Sequence, residues 1–328
     1  MSGRIEKENK LIQTINTILT NKPQYLWEWK NSLIASQKTA STTKDYICKV
    51  LKFLEDNNYD LSINTTLDYF VNIQTKSDKN GNIVRTSDSY RQSVWYCLNN
   101  FFTFMVKMGY VEQNPMVMID KPKNHDLARI NENRILLTKD DFEDILESVR
   151  TGVGSHKAKA RQAKWKERDL AIMALLMSTG MRKSALLSMD VDDINKTDMT
   201  IRIIDKGDKL HIYNLTSKTI NILEEWLEKR EKILENNINE KALFISGSNK
   251  RLKNIDDLIE KYCKDALNMH ISPHKIRAGF TSIMYQETGD IEFCRRVVGH
   301  ANVGTTQRYI VTDNKEREKS AEIMNSLF

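Results

Sequence analysis

The sequence predicts a mainly α-helical chain in two domains, with one small antiparallel sheet confined to the second. Three observations carry this. At 328 residues the chain is longer than one hydrophobic core usually serves. With 12 Gly and 4 Pro it lacks the turn residues that an all-β design consumes. Its apolar residues recur mostly at helical spacing, and one stretch alone reads as a β-hairpin.

The elements follow in order. Leu11, Ile12, Ile15, Ile18 and Leu19 form the first helical stripe, ended by Asn21-Lys22-Pro23. It is short and reads as an arm that seeks a partner. A small helical bundle follows, with stripes over 25–34, then Tyr46, Ile47, Val50, Leu51 and Leu54, then Tyr90, Val94, Leu98, Phe101, Phe102 and Met105. Thr42 or Thr43 can cap the second of these helices, Lys79-Asn80-Gly81-Asn82 reads as an exposed turn, and Gly109 stops the last helix. The segment 114–134, with Pro115, Pro122 and a polar or basic run, looks like a linker. The expected boundaries are an arm at 1–22, a bundle at 23–122, a linker at 123–134 and a second domain at 135–328.

Thr138 can cap a helix that begins Lys139-Asp140-Asp141 and turns Phe142, Ile145, Leu146 and Val149 inward. A strongly apolar helix over 170–177 breaks at Thr179-Gly180. Residues 199–205 and 210–215, β-branched on either side of Lys206-Gly207-Asp208-Lys209, predict the hairpin. A long amphipathic helix carries Ile220, Leu223, Leu227 and Leu234, and a short strand is expected over 242–246. Helices starting near Leu252, Pro273, Ile291, Thr305 and Lys315 complete the chain.

The 50 Lys and Arg exceed the 44 Asp and Glu by six, with a pI near 8.9, which permits a polyanionic partner. No apolar run approaches the roughly 20 residues of a membrane span, and the polar start MSGRIEKENK shows no secretory signal, so a cytoplasmic protein is expected. Cys48, Cys97, Cys263 and Cys294 form no CxxC pair, and no metal or cofactor is expected. The densest cationic stretch holds Lys157, Lys159, Arg161, Lys164, Lys166 and Arg168 against one acid, Glu167. Such a stretch is commonly a solvated face. Its place just before a buried helix allows it to follow a phosphate backbone instead.

Other residues suit phosphate chemistry. His274 and Arg277, spaced i, i+3 after Pro273, share a helix face, and Arg182 follows a break between two helices where an anion can be held. Lys206 lies at the hairpin tip, with Lys209 a rival, and His300 precedes Tyr309 in the last cluster. Two arginines, two histidines, a lysine and a tyrosine fit a reaction in which a phenol attacks a DNA phosphodiester without metal. The guanidinium groups would neutralise the charge growing on the pentacoordinate phosphorus, and the basic groups would move the two protons.

The sequence then resembles the tyrosine recombinases, the phage integrase and Xer family. TGMRKSALLSMDVDDI is similar to that family's first arginine box, DKGDK to its hairpin lysine, SPHKIRAGF to its HxxR box and VVGHANVGTTQRY to its histidine-to-tyrosine box. The segment from Tyr25 to Pro122 is similar to the family's helical core-binding domain, which has a SAM-like fold. The resemblance implies an α+β catalytic domain with Arg182, Lys206, His274, Arg277 and His300 around the nucleophile Tyr309. It implies duplex DNA as partner, a homo-tetramer on two sites, a Holliday-junction intermediate, and a C-terminal tail at 315–328 that docks on a neighbouring protomer. A helix folded on its own domain is the alternative for that tail. About 22 residues precede Tyr25, which suggests a compact recombinase without the extra arm-binding domain of many phage integrases.

Two positions depart from the family pattern. Ala185 stands where an acidic residue is common, with Asp190 or Asp193 as candidate substitutes, and Ala278 replaces a frequent histidine. Four readings result. A site-specific recombinase leads; an inactive DNA-binding relative, a hairpin-forming telomere resolvase and a metal-dependent transposase built on Asp192 and Asp193 are the rivals.

Overall fold

In the computed structural model, which describes residues 2–123, 137–205, 209–235, 240–299 and 306, the chain divides into two units, 1–133 and 134–328. The first comprises α1 (Ser2–Leu19), α2 (Gln24–Ala35), α3 (Ala40–Asp56), α4 (Ile63–Asn72), a hairpin of β1 (Thr75–Ser77) and β2 (Ile83–Arg85), and α5 (Asp88–Lys107). Its core is aromatic: Trp29, Phe53, Phe101 and Phe102 are fully buried. The Trp29 ring meets Phe101 edge-on at 5.0 Å, while its indole N–H donates to Asn100 at 3.0 Å, so the polar edge is satisfied where the rings pack.

Three local expectations are corrected in this unit. The first stripe is not a separate arm: Ile15 and Leu19 are fully buried in this core, and the Glu8 carboxylate accepts the Ala40 N–H at 2.8 Å. An apolar stripe of that size gains more from an adjacent core than from water. Thr39, rather than Thr42 or Thr43, caps α3, its hydroxyl accepting the Thr42 N–H. The start of the expected linker is packed, because Pro115–Met118 form a 3-10 helix with Pro115 and Met116 buried. The Trp95 and Gln92 side chains donate to the carbonyls of Ile119 and Pro122 and hold the extended chain that follows. Residues 124–134 of that linker lie outside the described residues.

The second unit contains α6 (Lys139–Thr151), α7 (His156–Ala163), α8 (Lys166–Thr179), α9 (Lys183–Ser188), β3 (Ile194–Asn195), β4 (Thr200–Asp205), β5 (Lys209–Asn214), α10 (Ser217–Ile233), α11 (Asp256–Leu267), α12 (Pro273–Thr288) and α13 (Ile291–Val298). The strands form an antiparallel sheet in the order β3-β4-β5, with Ile203 opposite His211 and Ile201 opposite Tyr213. β3 is too short to have shown as a strand pattern. The apolar helix α8 is the centre of this unit: residues 169–177 are all buried, and α6, α9, α10 and α12 pack around it. Each Leu or Ile taken from water there contributes roughly 1.5–3 kcal/mol. The expected strand over 242–246 is reduced to two isolated bridges, Asp190 with Ala242 and Ile245 with Arg251. The buried side chains of Leu243, Phe244 and Ile245 serve the helical core there, not a sheet. Among the described residues no helix is long and apolar enough to cross a membrane.

Candidate active site

The site begins where α8 stops. Gly180 adopts the left-handed conformation, φ 60°, and its N–H returns to the Leu176 carbonyl at 3.0 Å. A side chain there would also collide with the Phe280 ring on α12, so two requirements fall on one glycine. Thr179 fastens the break, donating to Leu175 O and accepting from the Met181 N–H. Arg182 then takes the N-cap position of α9 in an extended conformation, and its Nη2 donates to the Gly299 carbonyl at 3.0 Å.

The helix α12 supplies the second half. Ser272 caps it and Pro273 occupies its first turn, which sets His274 and Arg277 one turn apart on a common face. Arg277 is 2% exposed. Its Nη1 donates to Gly180 O at 2.6 Å and its Nη2 to Val298 O at 2.5 Å, so one guanidinium ties the end of α8 to the end of α13. His274 is exposed, yet loss of hydration against the protein, then the charges of Arg277 and Arg182, hold its imidazole below the ordinary histidine value. That coupling places the three groups in one electrostatic neighbourhood. Together they gather two guanidinium charges and an imidazole of lowered proton affinity.

Lys206, His300 and Tyr309, and the tail 315–328, lie outside the described residues. In the sequence Lys206 follows the last residue of β4, Asp205, and His300 follows Gly299, which closes α13. Among the six expected DNA-binding cations, Lys157, Lys159 and Arg161 stand exposed on α7 and Lys164 is exposed at its C-cap, while Lys166 is half-buried. Arg168 is corrected. Its guanidinium donates to the buried Asp169 carboxylate and to Ile245 O, and stacks 4.4 Å over the Trp165 ring, so it joins parts of the core. Ala185 is buried at 3%. Asp190 pairs with Arg251, and Asp193 accepts the Asp190 N–H at 2.8 Å, so both acids serve a local capping box. His211, which no sequence motif marks, approaches the same place from β5. Its ring nitrogen Nε2 lies 3.1 Å from Val297 O.

Two guanidinium groups and an imidazole gathered at the ends of three helices, in a mainly helical unit with one small sheet, make a cationic site of the kind that suits a phosphate group. Residues 136–316 match the phage integrase family, and the chain belongs to that family, the tyrosine recombinases. The XerC tyrosine recombinase of Shewanella amazonensis is 29% identical over 220 residues, covering 66% of this chain and 68% of the relative. That of Mannheimia succiniciproducens is 27% identical over 296 residues, 87% of this chain and 90% of the relative. Among solved structures, the XerH site-specific recombinase bound to palindromic difH substrate in a post-cleavage complex aligns with a TM-score of 0.67 at 20% identity, over 89% of this chain and 82% of that one. The Tn1549 transposon integrase in complex with a circular intermediate DNA aligns at 0.61 with 13% identity, over 91% and 99%. The fold is therefore that of the tyrosine recombinases.

Proposed function

We propose that this chain is a site-specific DNA recombinase that cleaves and rejoins duplex DNA through a covalent 3′-phosphotyrosine on Tyr309, using neither metal nor ATP. The observation that supports it most is the convergence of Arg182, His274 and Arg277, with both guanidinium groups oriented by carbonyls at the end of α13. The phenolic oxygen of Tyr309 attacks the phosphorus, the bond to the 5′ oxygen breaks, and that oxygen leaves as a hydroxyl after taking a proton. Arg182 and Arg277 contact the non-bridging oxygens and offset the charge that develops on them, the work a metal ion does elsewhere. Of the remaining groups, Lys206, His274 and His300, one receives the phenol proton and another supplies the proton to the leaving oxygen. The phosphotyrosine keeps the energy of the broken bond, so a 5′-hydroxyl from a second strand reverses the step.

On this reading the residues up to 122, with α1 part of their core, are the core-binding domain and 135–328 the catalytic one. The cations Lys157, Lys159, Arg161, Lys164 and Lys166 contact DNA phosphates, and four protomers assemble on two sites in the cytoplasm, with the tail 315–328 docking on a neighbour. Known recombinases of this fold have been solved on DNA, as the XerH and Tn1549 complexes describe.

The test is a nicked suicide duplex of the cognate site, identified from the junctions the protein creates and incubated with protein in EDTA. The wild type is expected to give a protein–DNA adduct on a denaturing gel and Tyr309→Phe none. Arg277→Ala should form the adduct about two to three orders of magnitude more slowly. A specifically bound site that yields no adduct from the wild type would overturn the reading in favour of an inactive DNA-binding relative, and loss of the adduct in EDTA alone would revive the metal-dependent one.

A further inference from the structure

We propose that His211 is a positioning residue of the recombinase site: it fixes the C-terminal turn of α13, and through that turn the directions of Arg182 and Arg277. The inference rests on the recombinase reading above and extends it to a residue outside its catalytic set.

His211 lies on the core-facing side of the β4–β5 hairpin. Ile203 opposite it and Tyr213 two residues on are buried, whereas its neighbours Leu210 and Ile212 face outward and are largely exposed. A polar ring on that inward face needs a partner, and the end of α13 provides one. The Val297 carbonyl can only accept, so the ring is set with Nε2–H donating across 3.1 Å. The other edge of the ring lies against Gly299: a Cβ there would stand 3.0 Å from its Cε1 and Nδ1. The Tyr213 ring, 4.3 Å away between centroids, backs the imidazole. Donor, ring edge and ring face are thus all engaged, which leaves the imidazole little freedom to move independently of α13.

The carbonyls at a helix C-terminus lack intrahelical partners and carry the negative end of the helix dipole. In α13 three consecutive ones are taken by side chains from three different elements. Val297 O receives His211 from β5, Val298 O receives Arg277 from α12, and Gly299 O receives Arg182 from the start of α9. The two arginines are the proposed phosphate clamp. His211 is the third support of the same turn, and it links that turn to the β4–β5 hairpin, between whose strands Lys206 falls in the sequence. A displacement of the turn would carry both guanidinium groups with it. In a site that works by fixed geometry, a misplacement of about 1 Å can cost about a hundredfold in rate. Gly299, with φ 67°, meets two demands at once: it closes the helix in the left-handed conformation and admits the His211 ring.

Two polar substitutions separate this role from simple packing. Glutamine can place an amide N–H where Nε2 stands, whereas asparagine reaches only as far as Nδ1 and cannot serve Val297. In full-length protein on the nicked suicide duplex, His211→Asn should form the adduct about ten- to a hundredfold more slowly at saturating protein. Its Kd for the uncleaved site, measured in the Tyr309→Phe background, should stay within about twofold, since phosphate contacts spread over the surface set affinity. His211→Gln should recover a rate within a few fold of wild type. A normal rate in His211→Asn, an equally slow His211→Gln, or a loss of binding that matches the loss of rate would each overturn the positioning role while leaving the recombinase reading intact. Absence of an adduct from the wild type would instead overturn that reading, and the role of His211 with it.

Discussion

At His274 lost hydration, and after it the charge of the neighbours, decides what the side chain can do. Loss of hydration and the two guanidinium charges depress its proton affinity, so the imidazole is neutral at lower pH than an isolated histidine would be. Between the lowered folded value and the unfolded value near 6.5, the unfolded chain binds the proton better. Charging His274 therefore opposes folding, and stability falls as pH drops from about 6.5 through the lowered folded pKa. Urea denaturation between pH 8 and pH 5 should show a steeper acid loss for the wild type than for His274→Gln, the two curves running parallel above pH 7. Identical acid slopes would show that folding does not lower the proton affinity of His274.

At the scale of the element, helix ends do much of the positioning. The helix α6 opens with a reciprocal cap: the Asp141 N–H donates to Thr138 Oγ1 at 3.1 Å, while the Asp141 carboxylate accepts the Thr138 N–H at 2.7 Å. This cap holds the first turn of a helix that packs on α8 and α11. Thr138→Ala should cost about 1 kcal/mol of unfolding free energy in urea, and Thr138→Ser much less, because serine keeps the acceptor. Equal losses in both variants would trace the effect to the threonine methyl group and not to the cap. Nearby, Gly279 allows α12 to lie against Leu137, where a Cβ would approach that side chain to 2.8 Å. The same helix carries Arg277, which bonds the Gly180 carbonyl.

For the whole molecule, a net charge of +6 matters through its placement. Helix α7 has no buried residue, and its cations suit a phosphate backbone, whereas Arg168 a few residues on is spent inside the fold. The two sets should separate in measurement. Replacing Lys157, Lys159, Arg161 and Lys164 by alanine should reduce the slope of log K against log salt by about 0.9 for each phosphate no longer neutralised, with little change in stability. Arg168→Ala should leave that slope unchanged and cost about 1.5–3 kcal/mol of stability, because Asp169, 3% exposed, would keep the Tyr262 hydroxyl but lose the guanidinium. An unchanged slope in the quadruple variant would remove α7 from the DNA surface.

Local patterns alone determined the mainly helical class, the hairpin of β4 and β5, the cap at Thr138 and the stop at Gly180. Each depends on residues a few positions apart, and the apolar period, the capping hydroxyl and the turn glycine are all visible in a short window. The motifs also singled out Arg182, His274 and Arg277 as residues worth bringing together. Only the tertiary structure decided how they meet, through bonds from Arg277 to carbonyls 97 and 21 residues away and from Arg182 to one 117 residues away. The same is true of α1, whose stripe looks alike on an arm or in a core, and of the segment 242–246, apolar enough for a strand but used to fill a helical core. Arg168 and Lys157 read alike as cations in sequence, yet a buried carboxylate and a tryptophan face claimed only the first. His211 carried no local signal at all, since its partner is 86 residues further along the chain. The physical reason is common to these cases: a side chain's hydrogen-bond partner and its burial are properties of the folded surroundings, which a window of neighbouring residues does not contain.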